Sequence, residues 1–183
     1  RKTYSIDTIE ELTEVDWQTI SHVIISTPPD SHSGYINLSV SNQKPCFVEA
    51  SVIDEGYGEI EANLTNNNVV VAPSCTMRFD PLIARTKSIL ESGELGRILF
   101  ANHHFGQYLP DWHPYEKITD FYVSKRPTGA AREIVPFDFM YLVWLFGLPI
   151  KINGFKGNSG SLGIDIDDIY SITCITDIGI QLS

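Results

Sequence analysis

The sequence predicts an α/β chain, with an incomplete parallel sheet followed by an α+β region built on a large, open, mostly antiparallel sheet. Three observations predict it. Short apolar runs at 22–26, 46–48 and 69–73 alternate with helical segments, the pattern of parallel βαβ units. A strongly signalled helix over 81–92 then breaks that rhythm. After it, a strand-like run at 97–105 and one long helical stretch lead to runs at 150–155, 164–176 and 179–182 that read as antiparallel strands.

Each element has a local reason. Residues 6–12 are expected to form a short amphipathic helix, capped by Asp7 or Thr8, with Glu10 and Glu11 where the helix dipole favours acids. The run around Val23 to Ile25 stops at Ser26-Thr27-Pro28-Pro29, a turn that opens a helix over about 31–42. Cys46 to Val48 ends in Glu49 and a tight turn, and a helix over about 54–65 follows. Val69 to Ala72, after three asparagines, is the clearest strand. Asp80 caps the next helix, Pro81 takes its first position and Gly93 follows its end. Leu82, Ile83, Thr86, Ile89 and Leu90 recur on one face of it. The segment 106–126, rich in Pro, Asp and aromatics, reads as an ordered loop or lid. Residues 129–146 are helical, with Pro136 either kinking the helix or starting a second one.

Composition narrows the function. Thirteen basic against 23 acidic side chains give a formal charge of −10, which argues against a nucleic-acid partner, because that needs a basic face. No apolar run approaches the roughly 18 residues of a membrane span. The longest, around 137–147, carries an Asp and reads as a buried helix. Cys46, Cys75 and Cys174 are far apart, with no C-x-x-C pair, so reduced thiols of a cytoplasmic protein are expected rather than a disulfide framework. The chain begins at Arg1 without Met, as if inside a fold.

In an open α/β sheet, ligands bind beyond the carboxyl ends of the strands. The turns at Ser26–Pro29 and at Glu49 therefore sit where a nucleotide cofactor would lie. Several further pieces fall in register along the chain: Val23-Ile-Ile-Ser-Thr-Pro-Pro-x-x-His32, Phe47-Val-Glu49, Met77-Arg-Phe79, Glu91-Ser-Gly-Glu-Leu-Gly-Arg97 and Trp144-Leu-Phe-Gly147. With these the chain resembles the glucose–fructose oxidoreductase/inositol dehydrogenase (Gfo/Idh/MocA) family. The stretch Gly106 to Pro114, with Arg132-Glu-Ile-Val-Pro-Phe137, resembles a branch associated with surface-carbohydrate biosynthesis.

The resemblance implies a Rossmann-type NAD(P)-binding domain over 1–77, incomplete, and a substrate and dimerisation domain over 78–183. It implies hydride transfer between NAD or NADP and a hydroxyl or keto group of a sugar, polyol or nucleotide-sugar, in a homodimer packed through its open sheet. Ser26, Thr27, Pro28, His32 and Glu49 would face the cofactor's ribose and nicotinamide. Glu133 and His113 would act on the substrate's proton, with Arg132, Tyr108 and Asp111 binding it.

Three departures from the family pattern stand out. No strand–G-x-G-x-x-G–helix unit is present, and Gly56-Tyr57-Gly58, which lacks the third Gly, reads as a helix start. The family's Glu-Lys-Pro motif, whose lysine positions the reacting hydroxyl, is Glu49-Ala50-Ser51 here. The family's Asp and His, one helical turn apart, map to Glu133 and Phe137, and Phe carries no proton. A non-catalytic sugar-binding or scaffolding relative is therefore the alternative function.

Bland alternatives exist for single residues. Asp111 could cap a turn, His113 could pack on Trp112 or Pro114, and His32 could be a solvent-facing helix residue. His103 and His104, adjacent on an expected strand, should point to opposite faces and share no metal. Asp165, Asp167 and Asp168 lack the Gly and Glu of a calcium loop and read as a solvated edge.

Overall fold

The computed structural model describes residues 8–50 and 53–183. The expected cap Asp7 and the end of the Glu49 turn, Ser51, lie outside the described residues. Strands β1 (Val23–Ile25), β2 (Cys46–Val48) and β3 (Val71–Pro73) form a parallel sheet in that spatial order. Ile25 lies opposite Val48 and Val48 opposite Pro73, so the carboxyl ends of all three strands share one rim. Helices α1 (His32–Ser41) and α2 (Tyr57–Asn66) cover one face, where Ile25, Cys46 and Val48 meet Ile36, Val40 and Ile60. The two-residue period of a strand sends Ile24 and Phe47 to the other face, where they are 66% and 43% exposed.

Helix α3 (Pro81–Ser92) begins as its sequence dictates. The Asp80 carboxylate accepts from the backbone N–H of Leu82 at 2.8 Å and of Ile83 at 3.1 Å. Gly93 ends it in the left-handed conformation, at φ +76°. Strands β4 (Phe100–Ala101), β5 (Pro149–Gly157), β6 (Ile169–Thr176) and β7 (Gln181–Leu182) form a second sheet in the order β4-β7-β6-β5. Helix α4 (Ala130–Phe146) lies on one face of it, with Tyr141, Leu142 and Leu145 against Cys174 and Leu182. The register places Phe100, Phe155, Ile169 and Ile175 on the opposite face, all exposed.

Three sequence expectations are corrected. The strand expected over 97–105 shrinks to Phe100–Ala101, because its partner β7 is itself only Gln181–Leu182. That pairing is parallel and the other two in the sheet are antiparallel, so the sheet is mostly antiparallel, as the sequence predicts. The strand expected from 164 starts at Ile169; ion pairs from Arg126 to Asp165 and from Lys156 to Asp167 hold the preceding residues in a loop. The described part of 6–12 is not an α-helix. Its apolar Ile9 and Leu12 are 53% and 51% exposed, so the amphipathic face has nothing to pack on, and only a 3-10 turn at Leu12–Glu14 forms.

Pro136 starts no second helix; α4 runs through it. Gly147 ends α4 at φ +91°, and a Cβ there would collide with the Asp177 carboxylate, which accepts from Leu148 N–H at 2.9 Å. The segment 106–128 is ordered, as expected. Three 3-10 turns, Leu109–Asp111, Tyr122–Ser124 and Arg126–Thr128, fold it over its own core of Leu109, Val123 and Ile166. Thr128 donates to the Tyr122 carbonyl at 2.6 Å and closes this lid onto the start of α4.

Candidate functional site

The rim of the parallel sheet carries the first group of expected residues. After β1, the turn at Ser26–Pro29 is held from within. Ser31 Oγ donates to the Pro28 carbonyl at 2.8 Å and lies 2.7 Å from the Thr27 hydroxyl, which can donate to it in turn. His32 is 2% exposed, and its Nε2 lies 2.7 Å from the Thr27 carbonyl. A carbonyl only accepts, so Nε2 carries the proton and the ring braces the turn. The alternative of a solvent-facing His32 is overturned. Ser26 and Pro28 are exposed at the rim. Glu49 donates its backbone N–H to the Ile25 carbonyl at 3.0 Å, which fixes the second turn beside the first.

Glu133 comes to the same place from the other half of the chain. It sits in the first turn of α4, and its Oε2 accepts from the Tyr122 hydroxyl at 2.8 Å. Burial pushes the Glu133 carboxyl above its ordinary range; the Tyr122 hydrogen bond opposes this, and the nearby Glu49 charge adds to it. Burial, then the bond and charge of Glu133, then Glu49, push the Tyr122 phenol well above its usual range, so it is a proton donor at any working pH. Glu49 therefore lies within electrostatic reach of both. The first-half rim and the lid–α4 pair converge.

Other expected residues are more scattered. The His113 ring lies 3.9 Å from that of Phe121, which in turn meets Tyr122 edge to face at 4.5 Å. His113 thus approaches Glu133 through two aromatic layers, while its Nδ1 lies 3.1 Å from the Tyr115 hydroxyl. Its ring contacts are with Phe121 and Tyr115. Arg132 is exposed on α4 beside Glu133. Asp111 is exposed at the end of its 3-10 turn, and Tyr108, 64% exposed, lines a different cavity from the Glu133 site. Phe137, one turn after Glu133, faces Cys75 to Arg78 at the end of β3.

One constellation escaped the sequence reading. His103 Nε2 lies 2.8 Å from Asp138 Oδ2, with the Tyr141 ring edge-on to the imidazole. Burial, with Asp138 nearby, pushes the Tyr141 phenol up to about 12. The signal was present: a lone carboxylate within an apolar helical stretch needs a partner. The partner is distant in sequence, and alternation along a long strand hid it. Because β4 stops at Ala101, His103 and His104 are not on a strand, and both line one cavity. Among the described residues no group of three His, Cys, Asp or Glu side chains could hold a metal ion. All three cysteines are free, with Cys46 and Cys174 buried in strands.

The fold is that of an α/β protein with a parallel-sheet rim opposed by a helix and lid from a second sheet region. The chain belongs to the GFO/IDH/MocA family of oxidoreductases, whose C-terminal domain matches residues 83–183. A curated relative is the uncharacterized oxidoreductase YhhX of Escherichia coli strain K12, 28% identical over 109 residues, covering 58% of this chain and 31% of the relative. An oxidoreductase from Agrobacterium radiobacter, solved in complex with NAD+, L-tartaric acid and magnesium, superimposes with TM-score 0.76 at 13% identity, over 94% of this chain and 49% of that one. The myo-inositol 2-dehydrogenase of Lactobacillus plantarum gives 0.73 at 14% identity, over 91% and 51%. The chain thus spans about a third of the curated relative and half of the solved chains. Among the described residues no helix is long and apolar enough to cross a membrane.

Proposed function

We propose that this chain supplies the substrate-facing site of an oxidoreductase that uses NAD or NADP and acts on a hydroxyl or keto group of a sugar, polyol or nucleotide-sugar, in surface-carbohydrate biosynthesis. Residues 1–77 belong to its cofactor-binding domain and 78–183 to its substrate and dimerisation domain. What supports the reading most is the meeting of the half-buried Glu133–Tyr122 pair with the strand-end turns. The rim residues fit the ribose and nicotinamide end of such a cofactor: Ser26, Thr27 and Pro28 offer a braced turn, with His32 behind it, and Glu49 an exposed carboxylate able to accept from ribose hydroxyls. The nicotinamide, when bound, exchanges the hydride.

The chain's own residues do the rest. Tyr122 occupies one oxygen of Glu133; among the described residues no hydrogen bond engages the other. That oxygen accepts the substrate's hydroxyl proton, the task for which a raised carboxyl is suited near neutral pH. In this reading Arg132, next to Glu133 on α4, binds the substrate, His113 stands behind Phe121 and Tyr122 rather than at the proton, and the lid excludes water. Turnover of NAD(P)+ by the encoded protein with a panel of sugars, polyols and nucleotide-sugars tests the reading; absence of turnover with every one would end it. The replacements Ala50 and Phe137 favour the second reading, a sugar-binding relative without chemistry, and sugar binding without turnover would establish that instead.

Two outcomes follow from the site and the sheet. The Tyr122 hydrogen bond holds the Glu133 carboxyl down against burial. Tyr122→Phe should therefore raise it further and move the acid limb of the kcat/KM–pH profile to higher pH. A limb that stays put would remove Glu133 from the proton path. The exposed apolar face of the second sheet, with Phe155 71% exposed, is assigned to a homodimer. Phe155→Lys should halve the mass seen by light scattering without changing the circular dichroism spectrum.

A further inference from the structure

A cavity of about 470 Å³ lies between α4, β6 and the first part of the lid. It falls within the roughly 300–1,000 Å³ typical of small-molecule sites. Helix α4 contributes Ala131, Ile134, Val135, Asp138, Phe139 and Leu142, a single stripe at helical spacing. Glu133 and Phe137 are not on that stripe, so the cavity is separate from the rim. Its standing does not depend on the cofactor assignment.

The walls are mainly apolar, with the rings of Tyr108, Trp112 and Tyr170 among them. Polar groups are few and specific. Since a carboxylate only accepts, Nε2 of His103 carries a proton bonded to Asp138, and in the neutral ring Nδ1 keeps its lone pair. The Tyr141 hydroxyl is 3.4 Å from both ring nitrogens, too far for a well-formed bond to either. Trp112 lines the cavity with its ring only: its indole N–H is buried out of a ligand's reach and has no hydrogen-bond partner among the described residues, so it offers the ligand no donor.

Charge selects among ligands. Asp138 and Asp168 both line the cavity, so a carboxylate or phosphate would enter against two like charges. Against a cation, Asp138 Oδ2 is held by His103 and both Asp168 oxygens by Ser159, which leaves Asp138 Oδ1 as the carboxylate oxygen with no hydrogen bond among the described residues. We propose that this cavity is a binding site for a neutral ring compound bearing a hydroxyl, its ring against the aromatic walls and its hydroxyl donating to His103 Nδ1.

Benzyl alcohol, benzylamine and benzoate share one ring and differ in charge, and they serve as probes on the encoded protein. Titration is followed by the His103 ring resonances and by Trp112 emission, assigned through Trp112→Phe. Benzyl alcohol should bind in the millimolar range and shift both signals, with benzoate at least roughly tenfold weaker. His103→Leu should weaken the alcohol by roughly tenfold. Tyr108→Ala, at an exposed position that the fold does not need, should weaken it several-fold should the His103 variant fail to fold. No binding of the alcohol at its solubility limit overturns the site. Benzoate or benzylamine binding as tightly as the alcohol overturns the neutral ligand, and an unchanged alcohol affinity in a folded His103→Leu overturns the role of His103.

Discussion

Replacing Glu133 by Gln should lower hydride turnover by roughly 10²- to 10⁴-fold, the usual contribution of a positioned acid or base, while making the protein more stable at neutral pH. The two effects have one origin. Burial raises the Glu133 carboxyl above its ordinary range, so the fold favours the neutral form. The sign follows from linkage. Stability held by this group is fully present below the ordinary glutamate range and is lost as pH rises through the raised value. Gln is neutral throughout and still offers Tyr122 an acceptor. Urea midpoints of the two proteins should therefore coincide in acid and separate above the raised value, with the variant ahead. A variant that loses turnover and stability together at pH 7 would mean that Glu133 holds the lid in place and does no chemistry.

The second large effect is expected at Ile166. It is 1% exposed and closes the small core of the lid against Leu109 and Val123. Truncating a buried Ile to Ala costs about 2–5 kcal/mol, through lost transfer energy plus the cavity left behind. Because this cluster has only three buried members, Ile166→Ala should loosen the lid before the sheets. Tyr122 lies in that lid, so Glu133 loses its hydrogen bond as well. Leu145→Ala, in the α4–sheet core, serves as the comparison: a similar loss of stability, but lid amides that exchange no faster than in the parent. Equal acceleration in both variants would show that the lid and the second sheet unfold as one unit.

Which parts of this molecule were legible in its sequence depended on the range of the interactions that fix them. The parallel strands, the Asp80 cap and the Gly93 stop are set by near neighbours, and they stand where periodicity and capping rules put them. Strand ends in the second sheet depend on how long a distant partner is, and so 97–105 was expected far too long. The 6–12 segment has helical chemistry but no surface to cover, and packing decided against it. The site behaves in the same way. Glu133 and Glu49 were found through a family pattern, but their proximity to Tyr122 depends on how the lid folds back. His103 and Asp138 meet across 35 positions of sequence, and no local rule connects them.

Pro136 has a consequence for how α4 opens. With no N–H, it leaves the Arg132 carbonyl without its intrahelical bond, one turn from the helix start. The opening turns that carry Glu133 are thereby joined to the remainder of α4 by one bond fewer than an uninterrupted helix would have. They should open on their own, ahead of the segment from Phe137 to Phe146, which is pinned to the sheet by Tyr141, Leu142 and Leu145. In a deuterium-labelling time course, the amides of Glu133 to Val135 should exchange at least roughly tenfold faster than those of Leu142 to Leu145, a gap of about 1.4 kcal/mol in opening free energy.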